Sequence, residues 1–385
     1  MKALDPTSLG IEVRTEEQAA RSVNYAYGLI ITVALIIMFG LTMLYSTSYG
    51  LVGAKYFSAQ LIWAGIGLAV AIGTVLVGFK KLSDWSLWLI LVVSLLLIAC
   101  LFFPEINGAR RWIRIAGLSL QPSELAKPVL ALFMAKYCAE NFRSINLVFN
   151  RHGVVPMIAV CGMVMLLVVA GKDLGTTLLL AFVLLVVLFV AGISLRWFIF
   201  PMIGAVGLFF FIKHFNQVRW VRITSFLEPE RVASDDGYQL WNSLLALGSG
   251  KWFGVGFMES RLKARYLPEA HTDFILAIVG EELGLISLIV VCIAYLVFAY
   301  FGMKIALNAR TRQGLFLGVA LTATIVLQAA INIGVVSGAM PTKGIPAPMI
   351  SYGGSNLLMS LIATGLLVRI ALDTALPGFN AEILE

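Results

Sequence analysis

Ten apolar runs of bilayer-spanning length dominate this 385-residue chain, and burying them leaves few folds open to it. They lie near 24–46, 57–78, 86–103, 124–138, 153–170, 174–192, 197–213, 274–302, 314–335 and 355–373, those at 124–138 and 197–213 being short. In hydrocarbon every backbone N–H and C=O must be satisfied within the protein, so such runs cross as helices. Hydrophobic residues make up 60% of the chain and charged residues 13%, which excludes an ordinary soluble domain. The expected fold is an all-α polytopic membrane protein of about ten transmembrane helices, with a large external loop between helices 7 and 8. Residues 1–23 are expected as a polar N-terminal tail, 24–373 as the membrane domain and 374–385 as a C-terminal tail. No short apolar core with a small-residue cleavage site marks a signal peptide.

Lysine and arginine set the orientation. Thirteen fall on the side that both termini share, against six in the short loops opposite. Both termini are therefore expected in the cytoplasm, with loops 104–123, 213–272 and 336–354 outside. The net charge of +7 suits anionic lipid, though the orientation bias alone accounts for most of it. Cys100, Cys138, Cys161 and Cys292 fall within or at the ends of the runs and read as small buried hydrophobes. The three histidines have no metal-ligand spacing. In the long external loop, GYQLWNSLLALGSG is expected as an amphipathic helix at the outer interface.

Ionisable residues at membrane boundaries are costly and mark candidate sites. The stretch YLPEAHTDFILAIVGEELG carries His271, Asp273, Glu281 and Glu282 at and inside the eighth run. Asp273, near a helix start, is either a helix cap or a general base at the lipid–water boundary. Glu281 and Glu282 lie roughly 12 Å deeper on other faces of the helix, which favours a structural role apart from Asp273. Arg110, Arg111 and Arg114 flank Trp112 in an external loop, against the orientation bias. They suit either a pyrophosphate clamp or lipid head groups. Glu124 and Lys127 stand three apart on one helix face, a spacing for an ion pair that holds the helix in place. Asp173 either caps the sixth helix or faces the cavity of Asp273. The stretch PTKGIPAPMISYGGSN is either a re-entrant turn or a cavity lining that brings Lys343, Ser351 and Ser355 to substrate.

Six stretches, NGARRWI, LQPSELAK, KDLGTT, RITSFLEPE with GYQ, YLPEAHTDFILAIVGEELG and PTKGIPAPMISYGGSN, together resemble the SEDS family (shape, elongation, division and sporulation) over residues 25–373. The resemblance is closer to the division branch, FtsW, than to the elongation branch, RodA; the sporulation branch is also similar. It implies a ten-helix peptidoglycan glycosyltransferase of the bacterial cytoplasmic membrane, working at the division septum. Its substrate would be lipid II, an undecaprenyl-pyrophosphate-linked disaccharide-pentapeptide. By resemblance Asp273 is the catalytic aspartate, and Arg110, Arg111, Trp112, His271, Lys343, Ser351 and Ser355 meet substrate. Glu124 and Lys127 match an ion pair lining the central cavity. Asp173 matches the aspartate of a PDLGT-like turn, where this chain carries Lys172 in place of the common proline. The implied partners are a class B penicillin-binding transpeptidase, other divisome membrane proteins and membrane lipids; nucleic acid is not among them. No cofactor is required by the residues, and a divalent cation (Mg or Mn) could assist the leaving pyrophosphate. A flippase for the same lipid, or a non-catalytic division scaffold, is the competing class.

Overall fold

The computed structural model describes residues 6–105, 108–115, 118–147, 150–199, 214, 226, 230, 237–265, 267, 270–342 and 344–375. Its helices are α1 (Pro6–Val52), α2 (Lys55–Val77), α3 (Phe79–Asp84), α4 (Ser86–Cys100), α5 (Pro122–Glu140), α6 (Val154–Ala170) and α7 (Leu174–Val190). They continue as α8 (Tyr238–Gly250), α9 (Leu262–Arg265), α10 (Ile275–Leu307), α11 (Arg312–Val336) and α12 (Gly354–Ala375). Nine of the ten expected spans coincide with helices, which makes this a multi-pass membrane protein. The expected span at 197–213 lies almost wholly outside the described residues, as does Lys343. α1 starts at Pro6, so a helix runs from the expected tail straight into the first span.

The helices divide into an inner and an outer set. The apolar windows of α11 and α12 are 72% and 67% buried within the protein, those of α2 and α10 only 17% and 22%. The second pair therefore shows most of its apolar surface to lipid. α5 is almost wholly buried between α4 and α11. Pro122 sits in its first turn, where proline's missing N–H costs nothing.

Two departures from an all-helical bundle position the site. A short antiparallel hairpin, β1 (Ile113–Ile115) and β2 (Leu118–Leu120), pairs Ile113 with Leu120 directly ahead of α5. And α10 is broken at Gly284, whose φ of 79° and ψ of −177° suit a residue without Cβ. The backbone groups freed there are taken by the loop after α8. Leu285 and Ile286 N–H donate to the carbonyls of Lys251 and Trp252, while Val255 and Gly256 N–H donate to those of Glu281 and Glu282. Irregular backbone among membrane spans persists only when it is satisfied in this way. α8 forms where an amphipathic helix was expected, but it is packed: Leu240, Ser243 and Ala246 are buried, and Ser243 donates to the Val336 carbonyl.

Candidate active site

One end of the bundle collects four sequence-distant stretches. The N–H of Arg110, in the loop after α4, donates to the Gly171 carbonyl at 3.1 Å, joining that loop to the turn before α7. The N–H of Tyr352 donates to the His271 carbonyl at 2.9 Å, joining the stretch before α12 to the start of α10. Gly344 links the two halves. A methyl group there would lie 2.9 Å from Oδ2 of Asp273 and 3.2 Å from Nη2 of Arg111. The carboxylate and the guanidinium therefore lie within about 6 Å of each other, close enough for strong mutual influence. A side chain at 344 would crowd both groups, whereas glycine lets them stand close against the main chain.

Asp273 is part-exposed. It does not occupy the cap position of α10, which belongs to Phe274. The main chain ahead of α10 is pinned at three consecutive carbonyls. His271 accepts from Tyr352 N–H, Thr272 from the Ser351 hydroxyl at 2.7 Å, and Asp273 from Asn332 Nδ2 at 2.8 Å. The His271 imidazole stacks on the Tyr56 ring, centroids 4.5 Å apart and planes 10° from parallel.

The two neighbouring arginines part company. Arg111 turns towards Asp173 (3.9 Å) and the gap over Gly344. Arg110 is exposed, donates to the Leu101 carbonyl at 3.0 Å and pairs with Glu105 at 3.4 Å, so its guanidinium is spent within its own loop. The two-arginine clamp expected from the sequence is thus corrected to one guanidinium beside Asp273. Trp112 follows Arg111 and is part-buried.

Of the two roles the sequence left open for Asp173, the structure shows the helix cap. Its Oδ1 accepts from Thr176 N–H and caps α7. Its Oδ2 accepts from Gln121 Nε2, Ser123 Oγ and Thr176 Oγ1 at 2.8–3.0 Å. Its remaining charge faces Arg111. Lys172 takes φ of 65°, which a proline ring cannot adopt, so this turn is built differently from one that carries proline.

Ser351 and Ser355, expected to meet substrate, are buried and already engaged. Ser351 Oγ accepts from Ala347 N–H at 2.8 Å while donating to Thr272. Ser355 Oγ accepts from Gln121 N–H at 3.0 Å. Both work as internal fasteners, because a hydroxyl in this backbone-rich stretch is captured by nearby main-chain groups.

Glu124 and Lys127 form the expected pair, 2.6 Å apart and buried. Lys127 also donates to Gln328, whose amide donates to the Pro346 carbonyl and to Asn356. The cavity beside them is about 10 Å³, no more than one water needs.

Glu281 and Glu282 are buried fasteners too. Glu281 accepts from the Ser260 hydroxyl and from Arg261 N–H. Glu282 takes Lys263 Nζ at 2.6 Å, Ser46 Oγ on α1 and Met258 N–H. Together they lock the loop after α8 onto broken α10.

Among the described residues, no three of His, Cys, Asp and Glu gather as metal ligands. Asp173 is saturated with hydrogen bonds, so among the described residues Asp273 is the carboxylate that stands at Gly344. The donor set does not fit a protein-built divalent site, since magnesium and its like want several oxygens.

The family described as "Cell cycle protein", comprising FtsW, RodA and SpoVE, matches residues 27–375. The chain belongs to the FtsW/RodA/SpoVE family. Among curated members, a protein named probable peptidoglycan glycosyltransferase FtsW from Trichlorobacter lovleyi is 36% identical, over 91% of this chain and 94% of that one. Stage V sporulation protein E of Bacillus subtilis is also 36% identical, over 89% and 96%. Among solved structures, one described as "Structural coordination of polymerization and crosslinking by a peptidoglycan synthase complex" superposes with a TM-score of 0.78 at 26% identity, over 90% of this chain and 98% of that one. The crystal structure of Thermus thermophilus RodA superposes with a TM-score of 0.68 at 26% identity, over 91% and 97%. The fold is that of the FtsW/RodA/SpoVE membrane proteins.

Proposed function

We propose that this chain is the glycosyltransferase that polymerises lipid II into glycan strands at the outer face of the cytoplasmic membrane, in the division branch of its family. The observation that carries this reading is that the Asp273 carboxylate and the Arg111 guanidinium come within about 6 Å of each other against Gly344. The acceptor's 4-hydroxyl attacks the anomeric carbon of the donor from the side opposite its leaving group, inverting that centre. A new C1–O4 bond forms as the C1–O bond to phosphate breaks, and the electron pair leaves on the polyprenyl pyrophosphate. Asp273 accepts the hydroxyl proton, a contribution typically worth 10²–10⁴ in rate. Arg111 stabilises charge growing on the pyrophosphate through paired N–H donors. Adjacency in sequence to Gly344 supports the same role for Lys343. No step is routed through a metal.

The Lys and Arg of the segments at the opposite end outnumber those of the short outer loops, which supports both termini in the cytoplasm. The similar solved structure is of a peptidoglycan synthase complex that coordinates polymerisation and cross-linking. That supports a single-span class B penicillin-binding transpeptidase as partner, with other divisome proteins around the pair. The test is polymerisation of lipid II by the purified full-length chain, with and without such a transpeptidase. Wild type forms polymer and Asp273→Asn forms none while remaining in the membrane. Transport of labelled lipid II into vesicles without polymer would sink the reading. The sporulation relative is as similar as the division one, so imaging a tagged copy assigns the branch: a septal band during vegetative division supports the proposal, and signal confined to sporulating cells overturns that part of it.

A further inference from the structure

The segment that carries Asp273 lies ahead of α10, which begins at Ile275, so the regular helix does not include it. Side chains from elsewhere in the bundle grip its carbonyls. One gripping side chain comes from the middle of the bundle. Asn332 on α11 is 1% exposed, and its Nδ2 lies 2.8 Å from the Asp273 carbonyl and 2.7 Å from the Ile345 carbonyl. Both neighbours are acceptors only, so the atom between them must be the amide nitrogen, with each N–H committed to one of them. These are the residues on either side of the gap: Asp273 itself, and the residue after Gly344. One side chain thus fixes the spacing between the two backbones that carry the proposed base and Gly344. Asn332 Oδ1 is buried with no hydrogen-bond partner among the described residues. An amide that bears that desolvation cost in a membrane span holds its place through its two N–H bonds.

Two further details extend the grip. Gln328, one turn earlier on α11, holds the Pro346 carbonyl at 2.9 Å. Ser351 closes the other edge, joining Thr272 to Ala347 through one hydroxyl.

We propose that Asn332, assisted by Ser351, is a positioning residue that sets Asp273 against the Gly344 gap by clamping the main chain on both sides of it. This inference rests on the glycosyltransferase reading. Neither side chain is placed in contact with substrate.

The test uses the full-length chain in lipid vesicles, with lipid II as substrate and kcat and KM measured separately. Asn332→Leu keeps the approximate volume and removes both N–H donors. Ser351→Ala removes the second clamp. The expected result is a fall in kcat of about 10- to 100-fold for Asn332→Leu, the scale of a displacement near 1 Å in a catalytic group, and a smaller fall for Ser351→Ala. KM for lipid II stays within about twofold, because remote binding contacts are untouched. Folded variants with wild-type kcat, or with a loss confined to KM, overturn the proposal. If Asn332→Leu does not reach the membrane, Ser351→Ala decides. Loss of both from the membrane makes them props of the fold and also overturns it. Asp273→Asn run alongside separates the failures. Normal polymerisation by that variant sinks the parent reading, whereas a dead Asp273→Asn beside two fully active clamp variants sinks only the clamp.

Discussion

Asp273 and Glu282 come from one unbroken stretch of sequence, both acidic, nine residues apart, yet the protein treats them in opposite ways. Glu282 is fully buried, and its two oxygens receive an ammonium, a hydroxyl and a backbone N–H. Asp273 is part-exposed, close against a glycine, with its main chain clamped. Burial with full satisfaction makes a carboxylate structural, because its charge has nothing left to do. A rigid backbone with an accessible head group makes one available for chemistry. The comparison predicts separable phenotypes. Asp273→Asn, the largest effect, abolishes polymerisation and leaves the thermal midpoint of the purified protein unchanged. A midpoint that fell with activity would erase the distinction.

Glu282→Gln tests the other member. It leaves Lys263, mostly buried, without its counter-charge. Breaking a buried pair from one side costs about 3–5 kcal/mol. Denaturant or thermal unfolding of the variant in detergent should show a loss of that order, with cleavage by added protease rising in the loop after α8. Unchanged stability would mean that the clasp on broken α10 does not depend on this ion pair.

Much of this was legible before the structure. The spans could be placed because hydrocarbon demands unbroken apolar runs, and Glu124 with Lys127 could be paired because three residues on a helix make neighbours. What could not be read depended on tertiary direction. Nothing in the dipeptide Arg110-Arg111 says that one guanidinium folds back on Glu105 while its neighbour turns to the gap. Ser351 and Ser355 looked like substrate contacts because serines in a Gly/Pro-rich stretch suit either role, and only the positions of Thr272 and Gln121 reveal the fasteners. Asn332 was missed altogether, although a signal was present. Gln328 and Asn332 are four apart in an otherwise apolar span, and a polar ladder inside a membrane helix asks for partners. The break in α10 left little trace, since a lone glycine, here just after Glu281 and Glu282, is also tolerated inside an unbroken helix.

The arginines give a narrower form of the same comparison. Arg111→Ala removes the guanidinium at the gap and should lower kcat/KM about 10- to 100-fold, the worth of a hydrogen bond to a charged group. Arg110→Ala should leave kinetics within about twofold, since its guanidinium is engaged with Glu105 and Leu101. Equal losses in a lipid II titration would restore the two-arginine clamp.

The smallest effect belongs to Glu105, which anchors the arginine loop from outside. The Lys172 ammonium, through its hydrogen bond and then its charge, holds this carboxyl below the usual carboxylate range. A carboxyl lowered by folding contributes its tie above the ordinary value of 4.5, and the tie is lost as pH falls through the lower folded value. The contact is open to water, so screening keeps its worth small. The Arg110 amide, bonded to Gly171 across the same junction, reports on it. Its hydrogen exchange in wild type should rise relative to Glu105→Gln as pH drops below the ordinary value of 4.5, and the two should differ by no more than about fivefold at neutral pH. A larger gap at neutral pH would show that the exposed pair is as structural as Glu282, and the contrast between buried fasteners and open charges would then fail at this end of the bundle.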